Sequence, residues 1–230
     1  MGAREIPPKR FPRNGSAHGN SGCLIGIVIP GSAVQDAGIG ELRMKMRERG
    51  QKIRMRRDHL EGIPDYPLPE DWTLRWYRPG DETHWLEIHE VADKLNSIRP
   101  ELYAKEFGAG EDELPRRQVF LVSPEGAVAG TATAWWDDAF RGGRWGRVHW
   151  VAIRPEYQGK GLGKPLMTEV CRRLVELGHT RAYLTTSTVR VAAIGLYRQF
   201  GFEPDIADDK DRQAWRGLEG IAGQSCRKAD

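Results

Sequence analysis

Apolar positions over residues 72–202 repeat with a period of two in some stretches and of three to four in others, so strands and helices are expected to alternate. Residues 72–77 read as a strand. Pro79-Gly80-Asp81 then starts a helix whose Trp85, Ile88, Ala92 and Leu95 share one side, and a second short helix is predicted over 101–107. Residues 117–123 and 127–136 are β-rich runs on either side of Pro124-Glu125-Gly126, the pattern of a hairpin. Residues 147–153 form another strand, ended by Arg154-Pro155. Leu162, Leu166, Val170 and Leu174 recur every four residues, which predicts a core-facing helix stopped by Gly178. A strand over 181–186 and a helix over 191–200 follow, and Gly201-Phe202 turns the chain into a last extended piece. An antiparallel opening with a β-α-β-α close predicts an α/β domain with a mixed sheet. Beyond it, Ala214, Trp215, Leu218 and Ile221 share a helical face and Asp208 and Asp209 offer caps, so a short C-terminal helix should pack through Trp215.

Ahead of residue 71 the pattern weakens. Residues 1–40, rich in Gly, Pro, Ser and Asn, are expected to be a flexible extension. Their one apolar run, 23–29, follows Arg4, Lys9, Arg10 and Arg13 and faintly imitates a secretory signal. It is minimal against the ~7–15 residues of such a core, and no clean A-x-A cleavage site follows. Residues 42–46 and 53–55 alternate apolar residues with Arg and Lys across Arg49-Gly50-Gln51, predicting a hairpin or two short strands with basic outer faces. Three prolines in Ile63-Pro64-Asp65-Tyr66-Pro67-Leu68-Pro69 rule out helix and central strand and predict a linker. The expected organisation is an extension over 1–40, a basic strand-like segment and linker over 41–70, the main domain over 71–222 and a flexible C-terminus over 223–230.

Composition removes several alternatives. Mean hydropathy is −0.59, and no apolar run approaches the ~18 residues of a membrane-spanning helix. Cys23, Cys171 and Cys226 are widely spaced and lack a C-x-x-C pair, which argues against a disulfide framework or a zinc site and suits a reducing, cytoplasmic compartment. The net charge of +3 is lopsided: the first 60 residues hold 12 Lys/Arg against 5 Asp/Glu, a net of +7, and the remainder carries −4. A solvated basic face accounts for that excess, and a nucleic-acid partner is not expected. A homodimer stays open.

The chemistry lies in Val151-Ala152-Ile153-Arg154-Pro155-Glu156-Tyr157-Gln158-Gly159-Lys160-Gly161-Leu162-Gly163-Lys164. Three glycines at alternate positions, after a strand and before an amphipathic helix, free consecutive backbone N–H groups to point at one anion. The helix N-terminus adds roughly half a positive charge. Lys160 and Lys164 add whole ones, so a phosphate or pyrophosphate is the expected ligand. A Walker loop is excluded because Gly159 and Gly163 stand one residue too close and Pro165 replaces the hydroxyl. A dinucleotide fingerprint fails at Lys164 or at Leu166, according to the starting glycine.

Gln158-x-x-Gly161-x-Gly163 resembles the (Arg/Gln)-x-x-Gly-x-(Gly/Ala) loop with which Gcn5-related N-acetyltransferases (GNAT) hold the pyrophosphate of acetyl-CoA. About thirty residues on, that family commonly shows N-x-x-A-I-x-L-Y and then G-F. Here Arg190-Val191-Ala192-Ala193-Ile194-Gly195-Leu196-Tyr197 is followed by Gly201-Phe202, and six of the seven patterned positions agree. The resemblance covers roughly residues 71–205. It implies a mixed, mostly antiparallel central sheet with flanking helices, in which a parallel strand pair splays to form the acetyl-CoA cleft.

The implied activity is an N-acetyltransferase that moves an acetyl group from acetyl-CoA directly to an amine, small-molecule or peptide, with no metal. Implied donor contacts are the main chain of Val151, Ala152 and Ile153 with the pantetheine amides, and Gln158, Gly159, Lys160, Gly161, Leu162, Gly163 and Lys164 with the pyrophosphate. The Val151 N–H would stabilise the oxyanion, and Tyr197 would protonate the leaving thiolate. Arg190 stands where the family commonly has an asparagine that contacts pantetheine, which directs it towards a phosphate instead. Thr185 occupies the position of a glutamate base found in many relatives, so His149 becomes the candidate base. Strict alternation would put His149 on the same strand face as Val151. It resembles a histidine proposed to relay protons in arylalkylamine acetyltransferases. Asp137 and Asp138, after Trp135-Trp136, would suit a cationic acceptor. The rival is a non-catalytic acyl-CoA-binding module of the same fold, with Thr185 and Arg190 as marks of lost chemistry.

Overall fold

The hairpin expected around residues 124–126 forms between β3 (Gln118–Val122) and β4 (Val128–Asp137), with Gly126 at φ +84 in the left-handed turn. The computed structural model describes residues 50–225. Its other strands are β1 (Lys52–Arg57), β2 (Thr73–Trp76), β5 (Trp145–Ile153), β6 (Ala182–Ser187) and β7 (Glu203–Pro204). The sheet order is β2-β3-β4-β5-β6-β1-β7. Every neighbouring pair is antiparallel except β5 and β6. That parallel pairing spans Gly146–Ala182, Arg147–Tyr183 and Val148–Leu184, although both strands run on to Ile153 and Ser187. Beyond Val148 the two strands part, so the expected mixed sheet with a splayed parallel pair is the observed fold.

The helices are α1 (Glu82–Ala92), α2 (Pro100–Phe107), the single turn α3 (Leu114–Arg117), α4 (Gly163–Glu176), α5 (Val191–Gln199) and α6 (Asp209–Ser225). The four-residue stripe of α4 is the core of one face: Leu166, Val170 and Leu174 bury against Ile53, Met55, Val148 and Leu184. On the other face Trp85, Ile88 and Phe107 of α1 and α2 pack with Phe120, and α1 lies over β4 and β5. Full burial of such side chains contributes about 1.5–3 kcal/mol each. The expected tail helix is α6; Asp208 Oδ1 accepts the Asp211 N–H at 2.8 Å, and Trp215 is buried in the α4-side core. Cys171 is buried there too, and burial pushes its thiol up to about 12. Among the described residues no helix is long and apolar enough to cross a membrane.

Two expectations change. The segment 41–70 was placed ahead of the domain, yet β1 lies inside the sheet, with Ile53 opposite Thr186 on β6 and Met55 opposite Pro204 on β7. Ile53 and Met55 bury one side of the strand while Lys52, Arg54 and Arg56 point to the other, so the basic alternation is a strand with one face in the core. The proline-rich piece is likewise held down: Thr168 Oγ1 on α4 donates to Pro64 O at 2.9 Å and accepts from the Tyr66 N–H at 3.2 Å. Leu95 also falls outside its helix, because Asp93 ends α1 by accepting the Leu95 N–H at 2.8 Å. Residues 1–49 and 226–230 lie outside the described residues, and with them the extension, the run at 23–29, the strand at 42–46, Cys23 and Cys226.

Candidate active site

β5 does not run straight through the place where it leaves β6. Thr133 of β4 pairs with His149 and Thr131 with Ala152, so two steps along β4 face three along β5. The extra residue is a β-bulge. Trp150 takes φ +49, and neither Trp150 nor Val151 is paired with a residue of β4 or β6. A bulky residue in the left-handed region costs about 1–3 kcal/mol and persists only when its surroundings hold it. Trp150 is held by the rings of Trp85 and His89, each 5.0 Å away, and donates its Nε1–H to Glu106 Oε2 at 3.2 Å.

The bulge overturns the expected placement of His149. Both His149 and Trp150 turn towards α1 and α2, with His149 5.5 Å from the ring of Phe107, whereas Val151 packs on the α4 side. Ala152 then faces the α1 side and Ile153 the α4 side.

The loop after β5 is a cradle of unpartnered N–H groups. Gly159 and Gly161 sit at φ +77 and +79 with open space where a Cβ would project. From Gly159 to Leu162 no backbone N–H finds a partner among the described residues, and α4 starts without a side-chain cap. Lys160 lies 5.2 Å from the ring of Tyr157 and Lys164 4.9 Å from that of Tyr66, which sets both cations at the rim. Gln158 has a bracing part, donating its side-chain amide to Ile153 O at 2.8 Å. Leu162 is buried in the core, so only its main chain is available, and at Gly163 an added Cβ would stand 3.1 Å from Leu196 Cδ2, which would have to give way slightly. This geometry suits an anion of pyrophosphate type.

Tyr197 of α5 is buried on the same side of the sheet as Val151. Burial pushes its phenol up to about 12, against the nearby charge of Arg190, and its hydroxyl has no hydrogen bond among the described residues. Arg190 is not directed at the loop. Its guanidinium pairs with Asp93 at 2.8 Å, at the end of α1. Against the effect of burial, hydrogen bonds from Asn96, Leu95 and Arg190 hold the Asp93 carboxyl below its ordinary range.

Glu106, near the end of α2, is the residue that sequence reading missed. Its Oε2 lies 3.0 Å from His149 Nε2, off the line of the ring N–H, and also receives Trp150. Contact with His149 holds Glu106 at about 2 despite its partial burial. Burial drives His149 to about 4, overcoming the pull of Glu106, so at neutral pH the pair is a neutral imidazole beside a carboxylate. Glu106 keeps 22% of its side chain exposed against 5% for His149, which makes it the solvent-facing end. Nothing in its spacing marks it, since only the crossing of α2 over β5 brings it there.

Asp137 and Asp138 stand at the far end of β4, where Asp137 pairs with Trp145 at the start of β5. Asp137 accepts from the Tyr183 hydroxyl and the Ala139 N–H, both at 2.8 Å. Asp138 takes Trp136 Nε1–H at 3.2 Å and Arg144 at 3.4 Å. Both carboxylates serve the turn after β4.

Residues 84–202 match the model of the Acetyltransferase (GNAT) family. The chain is 32% identical to the mycothiol acetyltransferase of Arthrobacter sp. (strain FB24) over 168 residues, which is 68% of this chain and 50% of that protein. It is also 32% identical to the mycothiol acetyltransferase of Streptomyces bingchenggensis (strain BCW-1) over 143 residues, covering 61% of this chain and 46% of that protein. The chain thus spans about half the length of the curated relatives it matches. A GCN5-related N-acetyltransferase from Sphaerobacter thermophilus shares the fold, with a TM-score of 0.54 at 22% identity over 73% of this chain and 53% of that one.

Proposed function

The chain belongs to the acetyltransferase (GNAT) family, and on that footing we propose that it transfers an acetyl group from acetyl-CoA directly to an amine, without an acyl-enzyme. One observation carries the reading: the bulge at Trp150 and Val151, which have no register partner on β4 or β6, lies where β5 leaves β6, one strand end away from a loop of unpartnered N–H groups. Such an arrangement suits a thioester at the first place and a pyrophosphate at the second.

In this reading the N–H groups from Gly159 onward and the start of α4 bind the pyrophosphate, and Lys160 and Lys164 add charge. The Val151 N–H stabilises the negative charge that develops on the thioester oxygen, an effect of about 3 kcal/mol for a single donor. Tyr197, kept protonated by burial, gives its proton to the departing thiolate. His149 acts with Glu106 rather than alone. Once the carbon–nitrogen bond has formed, the nitrogen is far more acidic than a free ammonium, so the weakly basic Glu106–His149 pair can take its proton. Arg190 fixes Asp93 and with it the end of α1. Asp137 and Asp138 are left out of acceptor binding because their partners hold them at the opposite end of β5.

The test is an acceptor screen with acetyl-CoA over amino acids, peptides, amino sugars and the mycothiol of the relatives' name, read by thiol release and product mass. Thiol release with an acetylated amine supports the proposal. Tight acetyl-CoA binding without release from any acceptor would favour the binding module instead.

A further inference from the structure

We propose that Arg147 anchors an acceptor subsite for anionic amines, molecules that carry the reacting amine and a carboxylate or phosphate within about 10 Å of it. The inference rests on the acetyl-transfer reading, whose acceptor it names by chemical class.

Arg147 lies in β5 on the face turned to α1 and α2, in register with Tyr183 of β6 and, across it, Arg56 of β1. Its guanidinium stands 5.8 Å from the centre of the Tyr183 ring, and its Nε is buried. Among the described residues it has neither a hydrogen bond nor an ion pair. The other charged groups around it are all engaged. Arg54, Arg56 and Arg141 converge on the fully buried Asp205, with Arg54 also 3.3 Å from Asp211 and Arg56 3.2 Å from Asp58. Asp137 receives the Tyr183 hydroxyl, and Glu106 of α2, whose charge is favoured by Arg147, accepts the Trp150 Nε1–H and lies against His149 without an ion pair to Arg147. Glu106 acts on Arg147 only through its charge at longer range, so the guanidinium N–H groups are left without an acceptor, an arrangement that costs stability and that a bound anion would relieve.

Its position gives the missing partner a length. Arg147 is three residues before Trp150, about 10 Å along the strand at 3.3 Å per residue. An anion on Arg147 would therefore aim the other end of a short acceptor at the gap where β5 and β6 part. Arg147 and Glu106 thus present opposite charges on one face, and an amine with an anionic tail matches that order. A rigid strand sets the distance between them, which favours orientation of the amine before attack.

Calorimetry on the full chain saturated with coenzyme A, using n-butylamine, 4-aminobutanoate, glycylglycine and 2-aminoethyl phosphate as probes, tests the subsite. At least one anionic probe should bind tenfold or more tightly than n-butylamine, and the carboxylate and phosphate arms identify which anion is preferred. Arg147→Gln should abolish the preference and Arg147→Lys retain part of it, with both variants melting close to the parent, because the folded protein loses only a ring contact with Tyr183. Equal binding of all four probes, or a preference unchanged in Arg147→Gln, would overturn the proposal. A lowered melting temperature with loss of preference in both variants would make Arg147 a packing residue and overturn it equally. Thiol release from acetyl-CoA in the same samples reports separately on acetyl transfer. Anionic preference with no release from these probes or from any acceptor of the wider screen leaves the subsite standing and removes the transfer reading, and release without preference does the reverse.

Discussion

His149 and Val151 are separated by one residue in β5 and face opposite sides of the sheet. The left-handed Trp150 between them absorbs the half-turn that alternation would otherwise require. The sheet therefore divides the proposed chemistry. Tyr197 and Val151 stand with α4 and α5, where the donor loop begins, while Glu106, His149 and Arg147 stand with α1 and α2. The two sides meet only where β5 and β6 part.

Gly161→Asp should weaken acetyl-CoA binding at least tenfold, or about 1.4 kcal/mol. The position sits at φ +79 with nothing within 4 Å of an ideal Cβ, so the new carboxylate would stand free before the unpartnered N–H groups. Unchanged affinity in calorimetry on a folded variant would remove the loop from the donor site.

Tyr197→Phe keeps the ring in the core and deletes only the hydroxyl. If that hydroxyl protonates the thiolate, kcat should fall by something like 10²-fold while acetyl-CoA affinity stays constant. A wild-type kcat would assign the proton to water.

Burial drives His89 to about 3 and His149 and His179 each to about 4, all below the ordinary 6.5. Between pH 6.5 and 4 the unfolded chain binds protons at these histidines and the folded chain does not. Stability must then fall as pH drops through that window, with a slope approaching about 1.4 kcal/mol per pH unit for each fully shifted group. Melting temperature followed from pH 7 to 4 should decline by several degrees per unit. His149→Gln should flatten part of that decline, and a curve flat down to pH 5 would contradict the buried neutral state.

A chain beginning at Asp71, the boundary suggested by composition, should fail to melt cooperatively. It would lack Ile53 and Met55, both fully buried, and would leave β6 and β7 without the strand that joins them. A sharp transition at the parent temperature would show that β1 is dispensable.

The features legible in the sequence are those fixed by neighbouring residues. Gly126 closes a hairpin, Leu162 to Leu174 mark a helix face, and the glycines from 159 to 163 announce an anion cradle, because each depends on local backbone geometry or period. What escaped depends on distant contacts. β1 reads as a solvated basic segment since its partners lie on β6 and β7, and only pairing with them shows that Ile53 and Met55 are core. The bulge at Trp150 carries no glycine or proline to betray it; packing against Trp85 and His89 and the bond to Glu106 impose it. Glu106 was invisible for the same reason, and Asp137 and Asp138 looked like recognition residues until their turn partners were in view.

The place of β1 between β6 and β7 also sets an order of events at the ribosome. β1 is the first described strand to be synthesised, yet Ile53 cannot meet Thr186 until more than a hundred further residues have emerged. At typical elongation rates that interval is on the order of ten seconds. Contacts of such long range make closure of this half of the sheet a slow, late step. Throughout it a strand with a bare apolar face would be open to adhesion by other nascent chains. Lys52, Arg54, Arg56 and Arg57 intersperse positive charge through that strand, so mutual repulsion works as a gatekeeper while it waits. Replacing Lys52, which is exposed and stands outside the cluster around Asp205, by threonine would be expected to lower the soluble yield on expression more than it lowers the stability of molecules that have already folded.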